Sequence, residues 1–506
     1  MAREYEDLVK AALVASAALV VPLAAWAETP KYKADVPASV TTPDVVETER
    51  LGTLRFFDGV PDADTVQSAY ANLDFMRGVE TFLNGIPATS IHALCRGLED
   101  AGVGPFVVGI FETLMDARSL FLTANSSTVY VTTCMDLKDG PVVMEVPPGV
   151  LGPVDDAFFR WVTDLGVTGP DQGRGGRYLF VGPNYDGELP TQGFHVVHSD
   201  TYVNWLLMRA FVTDSGTEGA VAGVKAAMRV YPLSEAASPP EQAFVNISGV
   251  QMNTIHANDV SFFDELNAVV QHEPADAFPA ELVGLFASIG IKKGEKFEPD
   301  ERMRRILSEA VAVGNATARA IAYRPRGQKA YFYEDRQWYS PFAGGSYRFM
   351  NNGEQVLDDR TFFHYAATGI TPAMAAPQVG SGSVYAFTAH DSEARYLDGG
   401  KTYSVTLPAP VPVNNFWSFM VYDNQHRSML ETDQKLAGLD SNNPAIVAND
   451  DGSYTVWFGP KPPKGKEGNW IQTMPEKGYS VLLRLYGPLE PWFDKSWKPG
   501  DFERVD

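Results

Sequence analysis

Four runs between Thr402 and Pro488 constrain this chain more than any other feature. They are Thr402–Leu407 (TYSVTL), Phe416–Tyr422 (FWSFMVY), Ser453–Phe458 (SYTVWF) and Tyr479–Tyr486 (YSVLLRLY). Each is dense in β-branched and aromatic residues and is bounded by Pro, Gly, Asn or Asp, the pattern of a strand. Together they predict one antiparallel sheet packed by its own aromatics. Alternation puts Trp417, Phe419 and Val421 on one face, and Phe416, Ser418, Met420 and Tyr422 on the other. In the last run Tyr479, Val481, Leu483 and Leu485 share a face, so Arg484 points the opposite way, beside Leu482 and Tyr486. An arginine in mid-strand among apolar neighbours is costly to bury alone. It therefore either pairs with a carboxylate such as Asp423 or Glu467, or faces an anionic group of a ligand.

The chain has 506 residues, enough for two or three domains with cores of their own. Its net charge of −22 argues against nucleic acid, whose phosphate backbone needs a basic surface. Residues 1–27 read as a signal peptide, because Ala11–Ala27 carries no charge and Ala25-Trp26-Ala27 fits a small-x-small cleavage site. With Pro22 inside it, that run is short for a membrane span. The expectation is a periplasmic or secreted protein with no stable membrane insertion once the leader is removed. Cys95 and Cys134 suit one disulfide in an exported protein, or two buried thiols in a cytosolic one. Their spacing matches no metal motif, and neither a metal nor another cofactor is expected.

Residues 28–46 read as a Pro/Thr-rich linker. An N-terminal β domain then spans 47–213. It opens on a helix, Thr65–Leu83, that is apolar on two sides and so is buried on both or bends at Gly78. Strands follow at Thr128–Thr133, Val142–Val146, Tyr178–Val181 and Phe194–His198, punctuated by Gly-Pro and Pro-Pro pairs. Between 214 and 329 the pattern turns helical. Gly219–Arg229 is amphipathic, Ser261 with Asp264 makes a capping-box-like start to Phe262–Gln271, and Pro299-Asp300 opens a long helix to Tyr323. From 330 to 506 the aromatics return in a C-terminal β domain.

Several segments resemble known families. Asn125–Tyr130 (NSSTVY), Gly140–Pro148 (GPVVMEVPP) and Gly169–Tyr185 (GPDQGRGGRYLFVGPNY) resemble the domain-of-unknown-function 1254 family. Val413–Tyr422 (VNNFWSFMVY), Asp450–Phe458, Gly468–Ile471 (GNWI) and Leu482–Pro491 are similar to its partner, the domain-of-unknown-function 1214 family. The linking region, with Ile289–Phe297 (IGIKKGEKF), looks typical of chains that carry both. The resemblance implies a mostly bacterial, often exported protein of two β-sandwich domains with helices between them, and no assigned reaction. This chain has Glu467-Gly468-Asn469-Trp470 where many relatives have a serine in second place.

Weak catalytic candidates lie just past the predicted C-terminal strands: His390, Asp423 and His426, with Arg484 within one. A His–Asp pair orients an imidazole for general-base work, although alternation separates His390 from its neighbour Asp391. His195 and His198 fall on opposite faces of a strand and do not chelate one metal. No G-x-S-x-G elbow or phosphate-cradling glycine loop is present. Trp338, Trp417 and Trp470 sit near polar residues, as sugar-binding platforms do, and Arg427 joins them as a ligand-binding candidate. Core packing of the same tryptophans is the competing reading.

The fold expected is mainly β with a helical insert (α+β): two antiparallel, jelly-roll-like β-sandwich domains joined by a helical region. Two functions compete. One is an exported hydrolase acting on a small or polymeric polar substrate at the loops of the C-terminal sandwich. The other is a non-enzymatic envelope protein that binds a small polar or carbohydrate-like ligand or assembles as a homo-oligomer. Clustering of His390, Asp423, His426 and Arg484 in one concave pocket would favour the enzyme.

Overall fold

The computed structural model describes residues 35–212 and 214–505, so the leader expected at 1–27 lies outside the described residues. Residues up to Tyr70 form a unit of their own. Within it, Val45–Thr48, Gly52–Phe57 and Val60–Pro61 make a small antiparallel sheet.

The helix expected at Thr65–Leu83 runs far longer, as Ala63–Asp100. The run Asn84-Gly85-Ile86-Pro87 reads as a stop, yet the helix passes through Pro87. Tertiary contact explains the persistence: a Cβ on Gly78 would lie 2.7 Å from the Ala310 Cβ, and one on Gly97 would lie 2.1 Å from the Asn253 carbonyl oxygen. The glycines therefore let this helix approach its neighbours, and packing overrides local propensity. Beyond Pro87, Ile91, Leu94 and Leu98 are buried in the central core. Cys95, near the helix end, forms a disulfide with Cys134, 39 residues away. Closing a loop of that length stabilises the folded chain by about 4 kcal/mol in the chain-entropy account.

The N-terminal half holds two main sheets. A six-stranded sheet includes Val108–Ile110, Thr128–Asp136, Leu151–Asp156, Trp161–Gly166 and Val203–Phe211. A four-stranded sheet includes Val142–Val146, Gly176–Val181 and His195–His198. They bury one core between them, with Val129, Val131, Leu206 and Met208 against Met144, Tyr178 and Phe180. Arg229–Pro232 and Phe244–Asn246 add strands to these sheets, so the β half extends past the boundary expected at 213. The helix Gly216–Ala227 contributes Val221 and Val224 to the same core.

In the C-terminal half the four aromatic runs form two sheets and not one. Trp417–Asp423 and Tyr479–Tyr486 pair in a sheet with Ser383–Thr388 and Gly438–Asp440. Tyr403–Leu407 and Tyr454–Gly459 pair in another, with Trp470–Gln472 and Glu503–Arg504. The reason is the number of apolar faces: Trp417, Phe419 and Val421 need a partner layer, and Val405, Leu407, Val456 and Phe458 supply it. Face assignment within the strands holds. Tyr479, Val481, Leu483 and Leu485 lie in that core, while Met420, Tyr422 and Leu482 lie in the central one.

Helices tie the two halves together through the central core. Phe262 and Leu266 of Ser261–His272, Leu307 and Val311 of Glu301–Tyr323, and Phe362 and Phe363 of Leu357–Ala366 join residues of both halves there. Asp300 caps the long helix by accepting from the Met303 amide at 2.7 Å. The capping box expected from Ser261 and Asp264 does not form; the Asp259 carboxylate accepts from the Ser261 amide and hydroxyl in its place. The fold is thus mostly β with helices, in antiparallel and mixed sheets of which none closes.

Candidate ligand site between two facing sheets

The outer face of the six-stranded N-terminal sheet and that of the C-terminal sheet carrying Tyr479–Tyr486 both contribute to the central core. On the first, alternation along Val203–Phe211 sends Leu206 and Met208 into the N-terminal core, and Trp205, Leu207 and Arg209 the other way. Arg209 pairs with Tyr130 in the ladder. On the second, Arg484 stands between Tyr385 and Ser418 of its two neighbouring strands. Arg209 and Arg484 come together in the lining of one cavity.

The cavity is narrow. Its volume is about 60 Å³. Phe121, Leu207, Phe362, Phe363, Phe387 and Leu482 are among the apolar residues of its wall. Arg209, Tyr385, Phe342 and Met374 retain partial exposure, which places them at its open side.

Arg484 is 3% exposed. Its Nη2 donates to the Thr123 carbonyl at 2.6 Å and to the Tyr422 hydroxyl at 2.9 Å. Its Nη1 has no partner among the described residues, and neither has the Nε of Arg209. The charged-group neighbours of both guanidiniums are tyrosines, namely Tyr130, Tyr385, Tyr486 and, for Arg484, Tyr422. The carboxylate pairing expected from Asp423 or Glu467 is absent: Asp423 pairs with Lys477, and the Glu467 carboxylate accepts from the Gly465 amide. An arginine keeps its charge in any protein environment, so two cations without a carboxylate partner among the described residues line this cavity, Arg209 hydrogen-bonded to the Tyr385 side chain.

The tyrosines respond to that field. Burial pushes the Tyr422 and Tyr486 phenols up to about 12. Burial acts on Tyr385 in the same sense, but the Arg209 and Arg484 charges outweigh it and hold that phenol below its ordinary value. Thr123, whose carbonyl receives Arg484, has a φ of +44°, a strained backbone for a β-branched residue. Asn125 fixes the same segment: its carboxamide oxygen accepts from the Ser127 and Thr128 amides, and its Nδ2 donates to the Tyr130 hydroxyl at 2.6 Å.

The other expected residues do not gather here. Asp423 and His426 line a separate, open pocket with Lys477, Glu431 and Asp433. There the Asp423 Oδ2 lies 2.5 Å from Lys477 Nζ and 3.4 Å from His426 Nε2, while His426 Nδ1 is 2.7 Å from the Ser428 hydroxyl. Ser428 is wholly buried. His390 is 1% exposed, sits 4.7 Å from the Tyr396 ring and has no hydrogen-bond partner on either nitrogen among the described residues. Burial, assisted by Arg324, holds it down to about 4. Its neighbour Asp391 is spent on the Glu393 and Arg395 amides and the Arg395 side chain. The four expected catalytic residues therefore do not share one pocket.

Trp338 and Trp417 are core residues, 0% and 1% exposed, and are not platforms. Their apolar surface is worth more inside the C-terminal core, where both rings meet Phe419. Trp470 stays partly exposed and donates Nε1 to the Gly459 carbonyl at 2.9 Å. Arg427 is buried over the Tyr365 ring at 3.9 Å and donates Nη1 to the Tyr365 carbonyl. Among the described residues no three His, Cys, Asp or Glu side chains gather closely enough to hold a metal ion.

Sequence reading missed Arg209 and Tyr385. The signal for Arg209 was present: Leu206-Leu207-Met208-Arg209 repeats the pattern of Leu482-Leu483-Arg484, a cation inside an apolar run in mid-strand. Tyr385 carries no such mark, since only the strand pairing places it beside Arg484.

Residues 107–232 match the family described as Protein of unknown function (DUF1254), and residues 382–490 match Protein of unknown function (DUF1214). The chain carries both regions. Arg209 lies in the DUF1254 region, and Tyr385 and Arg484 lie in the DUF1214 region, so the cavity draws on both. No curated protein matches the chain. The crystal structure of the VPA0106 protein from Vibrio parahaemolyticus resembles it with a TM-score of 0.53 at 17% identity, over 86% of this chain and all of that one. That likeness speaks to the fold alone. An uncharacterised protein from Burkholderia cenocepacia aligns over 87% of this chain and 96% of its own, with a TM-score of 0.39 and 14% identity.

Proposed function

We propose that this protein is an exported binding protein for a small organic anion, held between its DUF1254 and DUF1214 regions. The observation that carries the reading is a pair of guanidiniums, from Arg209 and Arg484, with an unpartnered N–H on each and no carboxylate opposite them among the described residues. A buried charge without a countercharge is destabilising, so a fold that keeps Arg484 in that state, with Arg209 beside it, gains when an anion arrives. Thr123 strain and the low-lying Tyr385 phenol fit a preorganised polar end of a site. Export is supported by the 1–27 segment and the Cys95–Cys134 disulfide, which suits an oxidising compartment. Each half is read as a jelly-roll-like sandwich, on the strength of two sheets over one core in each.

The test is thermal unfolding of the protein with and without millimolar organic anions. A ligand at 100 times its Kd stabilises the fold by about 2.7 kcal/mol, a readable rise in Tm. The rise is expected for the parent and is expected to vanish in Arg209→Gln and Arg484→Gln. Equal rises in parent and variants would sink the reading.

Hydrolysis at the open pocket is the second reading, and one observation favours it. Ser428, His426 and Asp423 are linked in the order of a nucleophile, a base and an orienting carboxylate. Against it, the Ser428 side chain is sealed from any substrate. A serine-directed fluorophosphonate that labels Ser428 would revive it.

A further inference from the structure

We propose that the Cys95–Cys134 disulfide is a reversible modification site, opened by a dithiol reductant while the chain stays folded. The bond joins the end of the helix Ala63–Asp100 to the strand Thr128–Asp136. Both cysteines are partly exposed, and both line a groove of about 740 Å³. That is ample for a small reagent, since pockets for drug-sized ligands run from about 300 to 1,000 Å³. Gly104, Pro105 and Phe106, from the turn after the helix, line the same groove, as do Tyr185 and Leu233. A thiolate therefore has a path to sulfur in the native protein, and such access is what exchange depends on.

The dithiol supplies the two electrons that the reduction needs. Its thiolate forms a bond to one of the two sulfurs as the Cys95–Cys134 bond breaks, and the other sulfur leaves with the electron pair as a thiolate. The reagent's second thiol, as thiolate, then attacks the mixed disulfide and closes its own ring. Both cysteines end as thiols, protonated by the two protons the reagent gives up, and the reagent ends as a cyclic disulfide. A monothiol needs a second molecule for that last step, so a dithiol is the class that fits.

Each end of the bond has other anchors, which is why the fold survives its loss. On the helix, Leu94 and Leu98 are buried in the central core and Gly97 packs against the Asn253 carbonyl. On the strand, Cys134 pairs with Trp205 within a long antiparallel ladder, and the Thr133 hydroxyl donates to the Val107 carbonyl at 2.8 Å. Reduction removes a cross-link and leaves these contacts in place. The part it loosens is the helix end and the turn beyond it, residues 96–107, where Phe106 holds a φ of +58°. That conformation is strained for a bulky side chain, and it persists only while its surroundings enforce it.

The experiment treats the folded full chain with dithiothreitol without denaturant, quenches with iodoacetamide and counts alkylated cysteines by intact mass. Two alkylations per chain are expected, with circular dichroism unchanged and a rate that rises in proportion to dithiothreitol. Amide exchange in the reduced protein is expected to quicken by about tenfold or more over residues 96–107 and to stay unaltered along Thr128–Asp136. Oxidised glutathione is expected to restore the bond. Alkylation only after urea unfolds the chain, or a rate that levels off with dithiothreitol, means that the sulfurs are reached by opening of the fold, and overturns the proposal. Loss of the circular dichroism signal on reduction overturns it too, because the bond is then a structural staple. The double variant Cys95→Ser, Cys134→Ser gives the second check: it is expected to fold and to show the same rapid exchange over residues 96–107. An unfolded double variant, or one that exchanges there like the oxidised parent, counts against the site.

Discussion

The central cavity and the open pocket at Asp423 both bring charged side chains to a concavity, and they treat the charges oppositely. In the open pocket the buried charge has an answer: Asp423 meets Lys477 and His426, and receives the Gln425 and His426 amides. In the cavity Arg209 and Arg484 retain free N–H groups and see phenols where carboxylates are wanted. A satisfied network has been optimised for the fold, whereas an unsatisfied one in a closed space is kept at a cost. That contrast teaches more than the number of catalytic-looking residues in either place. His–Asp proximity drew attention to the open pocket, while two arginines side by side without a carboxylate mark the cavity.

The comparison breaks most readily at Lys477. Replacing it by Met leaves the buried Asp423 carboxylate without its closest cation, and a loss of about 2 kcal/mol is expected at neutral pH. Chemical denaturation measures it, and an unchanged midpoint would show that the open pocket's pairing is incidental. A smaller effect is expected at Arg484. Arg484→Met removes an unpaired buried charge along with two hydrogen bonds, so without ligand its stability stays within about 1 kcal/mol of the parent. A much larger loss would mean that Arg484 serves the fold, and the contrast between the two regions would collapse.

Much of this architecture is legible in the sequence. Strand positions, the faces of Phe416–Tyr422 and Tyr479–Tyr486, and the anomaly of Arg484 all follow from a period of two. What pattern could not show was pairing between distant segments. Two sheets and one sheet present the same alternation, so the split of the four aromatic runs was invisible. The helix past Pro87 is held by contacts with residues more than 150 positions away, which no local signal reports. The cavity needed both halves at once: Arg209 looks like an isolated oddity until Arg484 is set against it. Trp338 and Trp417 misled for a related reason, since polar neighbours in sequence are not neighbours in space.

The finest distinction between the two regions is their response to acid. Burial pushes the Asp423 carboxyl up, but the hydrogen bond from Lys477, the His426 charge and the two amides outweigh it and hold the group below its ordinary value. A carboxyl depressed in the folded state contributes stability above its unfolded value, near 4, and loses it as pH falls through the folded value. Asp423→Asn should therefore lie below the parent in Tm at pH 7, and the gap should narrow as pH falls from 4 to 3. Arg484→Met should behave differently, because an arginine does not titrate anywhere in that range. Its Tm difference from the parent is expected to be the same at pH 7, 4 and 3. Melting curves of the three proteins across that range are sufficient. A gap for Asp423→Asn that stays constant would show that Asp423 is not held low by its partners. A gap for Arg484→Met that opens below pH 4 would reveal an acidic partner for Arg484, and with it the cavity would lose its claim to an anionic ligand.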